Sequence, residues 1–197
     1  GAAVLAVAGP EAALRLLAMA EARLPGMISA FELMHRQGLD FLHEVLPQVR
    51  QPFAEPPEWC VLIDLGLPHG LDPAEALADL FEAAGDLVSD GAIAQSGSQR
   101  AELWSLRESI PLANRKIGAV SSHDIALPPS LFPAFMAEAN AALAEIDRFR
   151  VNCFGHLGDG NLHYNVFPEK GRTRAEHDHQ REAVKTCVHD IVHRMGG

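Results

Sequence analysis

The sequence predicts an α+β domain built on an antiparallel sheet, with helices packed mainly on one face. Three observations carry that prediction. Apolar runs of strand length alternate with longer runs of helical period along the whole chain. The connections between them are short, which suits antiparallel neighbours better than the crossovers of a doubly wound parallel sheet. A chain of 197 residues with 48% hydrophobic and 21% charged positions also has the length and composition to bury a core.

Taken in order, Ala2–Val7 reads as a buried strand. Pro10-Glu11 opens an alanine- and leucine-rich helix to about Arg23, with proline where its missing N–H is harmless. Met27–Met34 reads as a strand, and Phe41–Val49 as a short helix ended by Pro47 or just after it. Cys60–Leu65 is the clearest buried strand, bounded by Pro57 and Pro68. Asp72-Pro73 is an N-cap followed by proline at the first helical position, so a helix starts there. Ala92–Gln95 reads as a short strand, and the Ser96–Gln99 break leads into a helix over Arg100–Arg115. His123–Leu127 is a strand, Leu131–Ile146 a helix, Phe149–Val166 two strands about a glycine-rich turn, and Arg174–Arg194 a polar helix. No internal repeat or low-complexity linker interrupts residues 1–197, which read as one domain.

Composition excludes several functions. With 16 Lys+Arg against 26 Asp+Glu the net charge is −10, which argues against nucleic-acid binding, since that needs a basic face. No apolar run approaches the ~20 residues that span a bilayer. The apolar N-terminus lacks the basic flank of a signal peptide. Three cysteines (Cys60, Cys153, Cys187) without a CxxC give neither a disulfide framework nor a cysteine zinc ribbon. A reduced, cytoplasmic setting is the expectation. GxGxxG, GK[ST] and GxSxG are all absent, so nicotinamide, phosphate-loop and serine-hydrolase chemistry have no fingerprint here.

The chemistry concentrates in Cys153–Val166. Asp159-Gly160 between apolar-rich runs signals a hairpin. With those two as the central turn residues, His156 faces His163 and Phe154 faces Asn165, while Cys153, Leu157, Leu162 and Val166 fall on the other, apolar face. Paired imidazoles on a rigid ribbon suit a divalent ion such as zinc, manganese or iron. The plainer alternative is a histidine pair that only packs. Three glycines within six residues, beside an aspartate and an asparagine, favour a backbone that something approaches closely.

Gly155-His156-Leu157-Gly158-Asp159-Gly160-Asn161-Leu162-His163 resembles the GHxGDGNLH signature of the C-terminal domain of FAD-linked oxidases. That family includes D-lactate dehydrogenases, the glycolate oxidase flavoprotein subunit and D-2-hydroxyglutarate dehydrogenase. Leu103–Glu108 is similar to its LWxLRE helix, and His123–Pro128 to its HDxSxP strand. The resemblance implies an α+β fold with ferredoxin-like elements, FAD carried mainly by an upstream domain, and a divalent metal. It implies His156 and His163 as metal ligands, and Arg107 and Asn165 as substrate contacts, Arg107 gripping a carboxylate through two parallel hydrogen bonds. Small 2-hydroxyacids become the expected substrates and the upstream FAD-binding domain the expected partner, with a homodimer left open. No catalytic residue is expected within the chain itself. The family's base and third ligand lie in a later EHG segment, so residues 1–197 read as an excised piece that is inactive alone. Two departures stand out: Pro111 replaces a threonine, and Ser122 replaces a lysine whose loss weakens the case for binding a second carboxylate.

Two other readings compete. One is a self-contained metal-dependent hydrolase that adds a third ligand such as Asp124 to the histidine pair; the other is a non-catalytic interaction domain. His189 and His193 have the i, i+4 spacing of a helical zinc site, but Asp190 stands where HExxH needs glutamate, so a solvated helix face is expected. His177 and His179, two apart, should point to different sides of their helix.

Overall fold

A computed structural model describes residues 1–197, with seven strands and six α-helices. The first half comprises β1 (Ala2–Val7), α1 (Pro10–Arg23), β2 (Ile28–His35), α2 (Arg36–Val45), β3 (Trp59–Leu65), α3 (Pro73–Ala84) and β4 (Val88–Ile93). The second half comprises α4 (Gly97–Ile117), β5 (Ser121–Ala126), α5 (Phe132–Ala144), β6 (Phe149–His156), β7 (Asn161–Pro168) and α6 (Arg181–Arg194). All seven strands form one sheet in the order β4-β1-β3-β2-β6-β7-β5, and every neighbouring pair is antiparallel. Strands β1–β4, ordered 4-1-3-2 with α1 and α3 on one face, reproduce the ferredoxin-like split β-α-β pattern. β6, β7 and β5 continue the same sheet beyond β2.

Four helices share one face. Leu16 and Ala20 of α1, Leu77 and Leu80 of α3, Phe132 and Phe135 of α5, and Val184 and Val188 of α6 pack on Leu5, Leu33, Val61, Ile63, Tyr164 and Val166. The opposite face is not bare. There α2, through Leu39, Phe41 and Leu42, and α4, through Leu103, Leu106 and Ile110, cover Val4, Met34, Leu62, Phe154 and Phe167. The central strands are thus buried on both faces, which is why β1 reads as an unbroken apolar run and β3 as one interrupted only by Asp64.

Caps explain where the element boundaries fall. Asp72 caps α3 as its sequence indicates, its side chain accepting from the Ala74 N–H at 2.8 Å. Helix α2 starts at Arg36, earlier than Phe41, because the His35 ring accepts the Gln37 N–H at 3.2 Å. Strand β4 ends at Ile93 and not at Gln95, because Ser96 caps α4 and the Gln99 side chain takes the Gln95 N–H. Helix α4 runs straight through Pro111 to Ile117. Residues Arg174–Gln180 form a 3-10 segment opened by a Thr173–Glu176 capping box, so the expected single helix is split before α6.

His123 lies on β5 at 3% exposure, its ring edge-on to His189 at 5.1 Å, and neither of its ring nitrogens has a protein partner. Burial holds its pKa down to about 4, with the nearby His189 and Lys185 also opposing protonation. The unfolded chain binds this proton from about pH 6.5 downward while the folded one does not. Stability contributed by neutral His123 is therefore complete above pH 6.5 and lost as pH falls towards 4. We expect His123→Leu to flatten the acid limb of the stability curve by about 2 kcal/mol, read from chemical denaturation at pH 7 and pH 4.5. An acid limb identical to that of the parent protein would contradict it.

Candidate functional site

The site grows from the α2/α4 face where strands β2, β6, β7 and β5 lie side by side. Cross-strand pairing sets Glu32 of β2 directly opposite His156 of β6, and Asp124 of β5 directly opposite His163 of β7. Residues opposed in this way share a face. The two pairs accordingly become hydrogen bonds: His156 Nδ1 donates to Glu32 Oε1 at 2.5 Å, and His163 Nδ1 donates to Asp124. Each carboxylate fixes its ring and leaves Nε2 as the free nitrogen, the arrangement used to orient metal-binding histidines.

The turn between these strands differs from its sequence reading. A two-residue Asp159-Gly160 turn would place His156 opposite His163, but the register pairs His156 with Asn161 and Phe154 with His163. Residues 157–160 form a four-residue connection because their backbone is anchored elsewhere. The Leu157 N–H bonds to Phe31 of β2 and its side chain is fully buried, while the Gly160 carbonyl takes the Leu127 N–H. Gly160 has φ +71°, and a Cβ there would stand 2.6 Å from the Leu127 carbonyl oxygen, so only glycine fits. The register shift is two residues, so the strand pleat keeps both rings on one face, as diagonal rather than direct neighbours.

Helix α4 lays a polar stripe over this face at i, i+4 and i+7. Arg100 and Trp104 reach Asp64 on β3, the indole Nε1 donating at 2.8 Å. Arg107 donates to Glu32 Oε2 through Nε at 2.8 Å, and its Nη2 lies at ion-pair distance, 2.8 Å, from the same oxygen. Glu32 is 2% exposed and Arg107 8%, so this is a buried ion pair in which one carboxylate serves an arginine and a histidine at once. The guanidinium also lies 4.8 Å over the Phe154 ring, whose centroid is 4.8 Å from that of His163.

Two hollows adjoin across that Arg107–Phe154 contact. One, about 640 Å³, is lined by Trp104, Arg107, Glu32, His156 and Asp159. The other, about 690 Å³, holds Phe154, His163 and Asn165. The four residues singled out from the sequence are thus on one face but divided between neighbouring hollows. Asn165 is 7% exposed and its side chain makes no hydrogen bond within the protein.

The donor set fits a divalent ion in part. Two imidazoles with free Nε2 atoms provide nitrogen ligands, but no group of three His, Cys, Asp or Glu side chains gathers to hold an ion. Asp124 sits behind His163 on its Nδ1 and does not face the pair as a third ligand, which removes the feature that favoured a self-contained metal hydrolase. His189 and His193 are exposed, as a solvated helix face requires, while His177 is fully buried and bonded to Gln180. Sequence reasoning missed Glu32 and Asp64. Their one signal is a lone acid inside an apolar strand, in Ile28–His35 and in Trp59–Leu65.

Residues 2–197 match the family model described as "FAD linked oxidases, C-terminal domain". A probable mitochondrial D-2-hydroxyglutarate dehydrogenase of Oryza sativa subsp. indica is 35% identical over 159 residues, covering 79% of this chain and 28% of the relative. A D-2-hydroxyglutarate dehydrogenase of Xanthomonas citri pv. viticola is 33% identical over 173 residues, covering 86% of this chain and 36% of the relative. A putative mitochondrial D-lactate dehydrogenase of Schizosaccharomyces pombe is 29% identical over 201 residues, covering 95% of this chain and 37% of the relative. The match spans between about a quarter and two fifths of the length of such relatives. Sheet, signature turn and full-length match together place this chain in the FAD-linked oxidase C-terminal domain family.

Proposed function

We propose that this chain is the substrate- and metal-binding domain of an FAD-dependent dehydrogenase that oxidises a D-2-hydroxyacid to the 2-oxoacid. The observation that carries the reading is the pair of imidazoles on one face, each held through Nδ1 by the carboxylate opposite it, beside a buried arginine. His156 and His163 would hold a divalent zinc, manganese or iron ion through Nε2, with further ligands from the substrate and from outside residues 1–197. Such an ion would polarise the substrate hydroxyl, and FAD, on the family's upstream domain, would supply the two-electron acceptor for the C2 hydride. Glu32 takes the Arg107 Nε–H and pairs with its charge, so the guanidinium is oriented before a substrate carboxylate arrives. The Asn165 amide offers a donor and an acceptor to the same ligand.

The test assays the flavin-loaded protein with D-lactate, glycolate and D-2-hydroxyglutarate and an artificial electron acceptor, before and after chelation. We expect turnover of at least one hydroxyacid, lost with chelator and restored by zinc or manganese, and none from residues 1–197 without flavin. A flavin-loaded protein that oxidises no 2-hydroxyacid would overturn the reading.

A further inference from the structure

One apolar ring joins the two carboxylate-anchored histidines. On β6, Phe154 lies two residues from Asn152 and two from His156, so the three share a face. The register sets Phe154 directly opposite His163, and the two ring centroids are 4.8 Å apart with a tilt of 41°. The Arg107 guanidinium carbon lies over the same ring, 4.8 Å from its centroid. Phe154 is 2% exposed and belongs to the core under α2 and α4, so close packing holds the ring in place. Contacts therefore run unbroken from Asp124 through His163, Phe154, Arg107 and Glu32 to His156. Phe154 is the one link in that chain without a polar atom.

An aromatic ring does here what a polar side chain would not. Glu32 accepts from one edge of the planar guanidinium, while a ring over its face fixes the tilt of that plane. The negative face of the ring attracts the cation without taking up an N–H, so it competes for none of the donors that a ligand carboxylate needs. A second carboxylate at this place would neutralise the arginine, and an amide oxygen would take one of its donors. We propose that Phe154 is a positioning residue, whose ring holds Arg107 at a set tilt for a substrate carboxylate and steadies His163, the proposed metal ligand. The inference rests on the 2-hydroxyacid reading above, and gives that reading a residue acting through Arg107 and His163 and not on the reacting atoms. Orientation established in the free protein helps binding, so its loss should raise KM and leave kcat nearly unchanged.

The experiment replaces Phe154 by mono-, di- and trifluorophenylalanine in the flavin-loaded protein, which weakens the negative face of the ring in steps at nearly constant shape. KM and kcat are measured for whichever of D-lactate, glycolate and D-2-hydroxyglutarate is oxidised. Chelator competition gives the zinc affinity, and the flavin spectrum reports folding. We expect KM to climb with each fluorine, to about tenfold at the trifluoro ring, with kcat within about twofold of the parent protein. Zinc affinity should fall in the same order, by about threefold, because a metal-bound imidazole is a partial cation beside that ring. Phe154→Leu, apolar but without a π face, should raise KM at least as far as the trifluoro ring does. The same fluorinated residues at Phe135, in the core on the opposite face of the sheet, should change neither KM nor zinc affinity. A KM that stays flat across the series shows a ring that only packs, and overturns the inference while the 2-hydroxyacid reading stands. Zinc affinity that stays flat strikes His163 from the role. Oxidation of no 2-hydroxyacid at all overturns both.

Discussion

Glu32→Ala is expected to destabilise the domain by about 3–5 kcal/mol, because it leaves the Arg107 guanidinium buried without its counter-charge. Few single substitutions in a domain of this size reach that level. Glu32→Gln should lie between, since an amide oxygen still accepts from Arg107 but carries no charge. Replacing both partners, Glu32→Leu with Arg107→Met, should recover most of the loss, as buried ion pairs exchanged for apolar groups of similar volume commonly do. Urea denaturation of the three variants beside the parent protein measures the series. A Glu32→Ala protein as stable as the parent would show that Arg107 finds water or another acid, contrary to its 8% exposure.

On the proposed reading that His156 and His163 hold a divalent ion, His163→Ala or His156→Ala in the flavin-loaded protein should lower kcat/KM at least a hundredfold and remove that ion while leaving the flavin spectrum intact. Asp124→Asn keeps His163, the proposed ligand, but loosens its anchor, and should weaken metal affinity by about 10–100-fold. Arg107→Ala should lower kcat/KM by about 2–4 kcal/mol with KM raised, on top of a fold made less stable by the now unpaired Glu32. Metal content and flavin absorbance, measured beside the rates, separate loss of the ion from loss of the fold. Full metal content in His163→Ala would remove that histidine from the ligand set.

Much of this architecture is legible in the chain because its causes are local. Asp72-Pro73 caps α3 whatever packs around it, and the period-2 and period-3.6 patterns fix most of the strands and helices. Boundaries slipped where a distant or unusual side chain intervened: His35 as a cap for α2, and Gln99 folding back on Gln95 ahead of α4. The second helical layer was not anticipated. A strand buried on both faces reads only as apolar, and its sequence does not state what lies on each side.

At the site the division is similar. The sequence by itself determined which residues were singled out as candidates: His156, His163, Arg107 and Asn165, on the nine-residue signature, the α4 helix and the strand that follows the turn. It also determined that the two histidines share a face, because strand parity survives a register shift of two. Tertiary structure alone decided their partners. Glu32 and His156 are 124 residues apart, Asp124 and His163 39 apart, and each pair meets only because two strands pair in one register. It likewise decided that Arg107 lies over the Phe154 ring, since α4 meets β6 only in the packed domain. Periodicity and capping act over a few residues and are written in the chain. Register, contacts between elements and burial depend on which distant segments pack together, and that is settled only when the whole core forms.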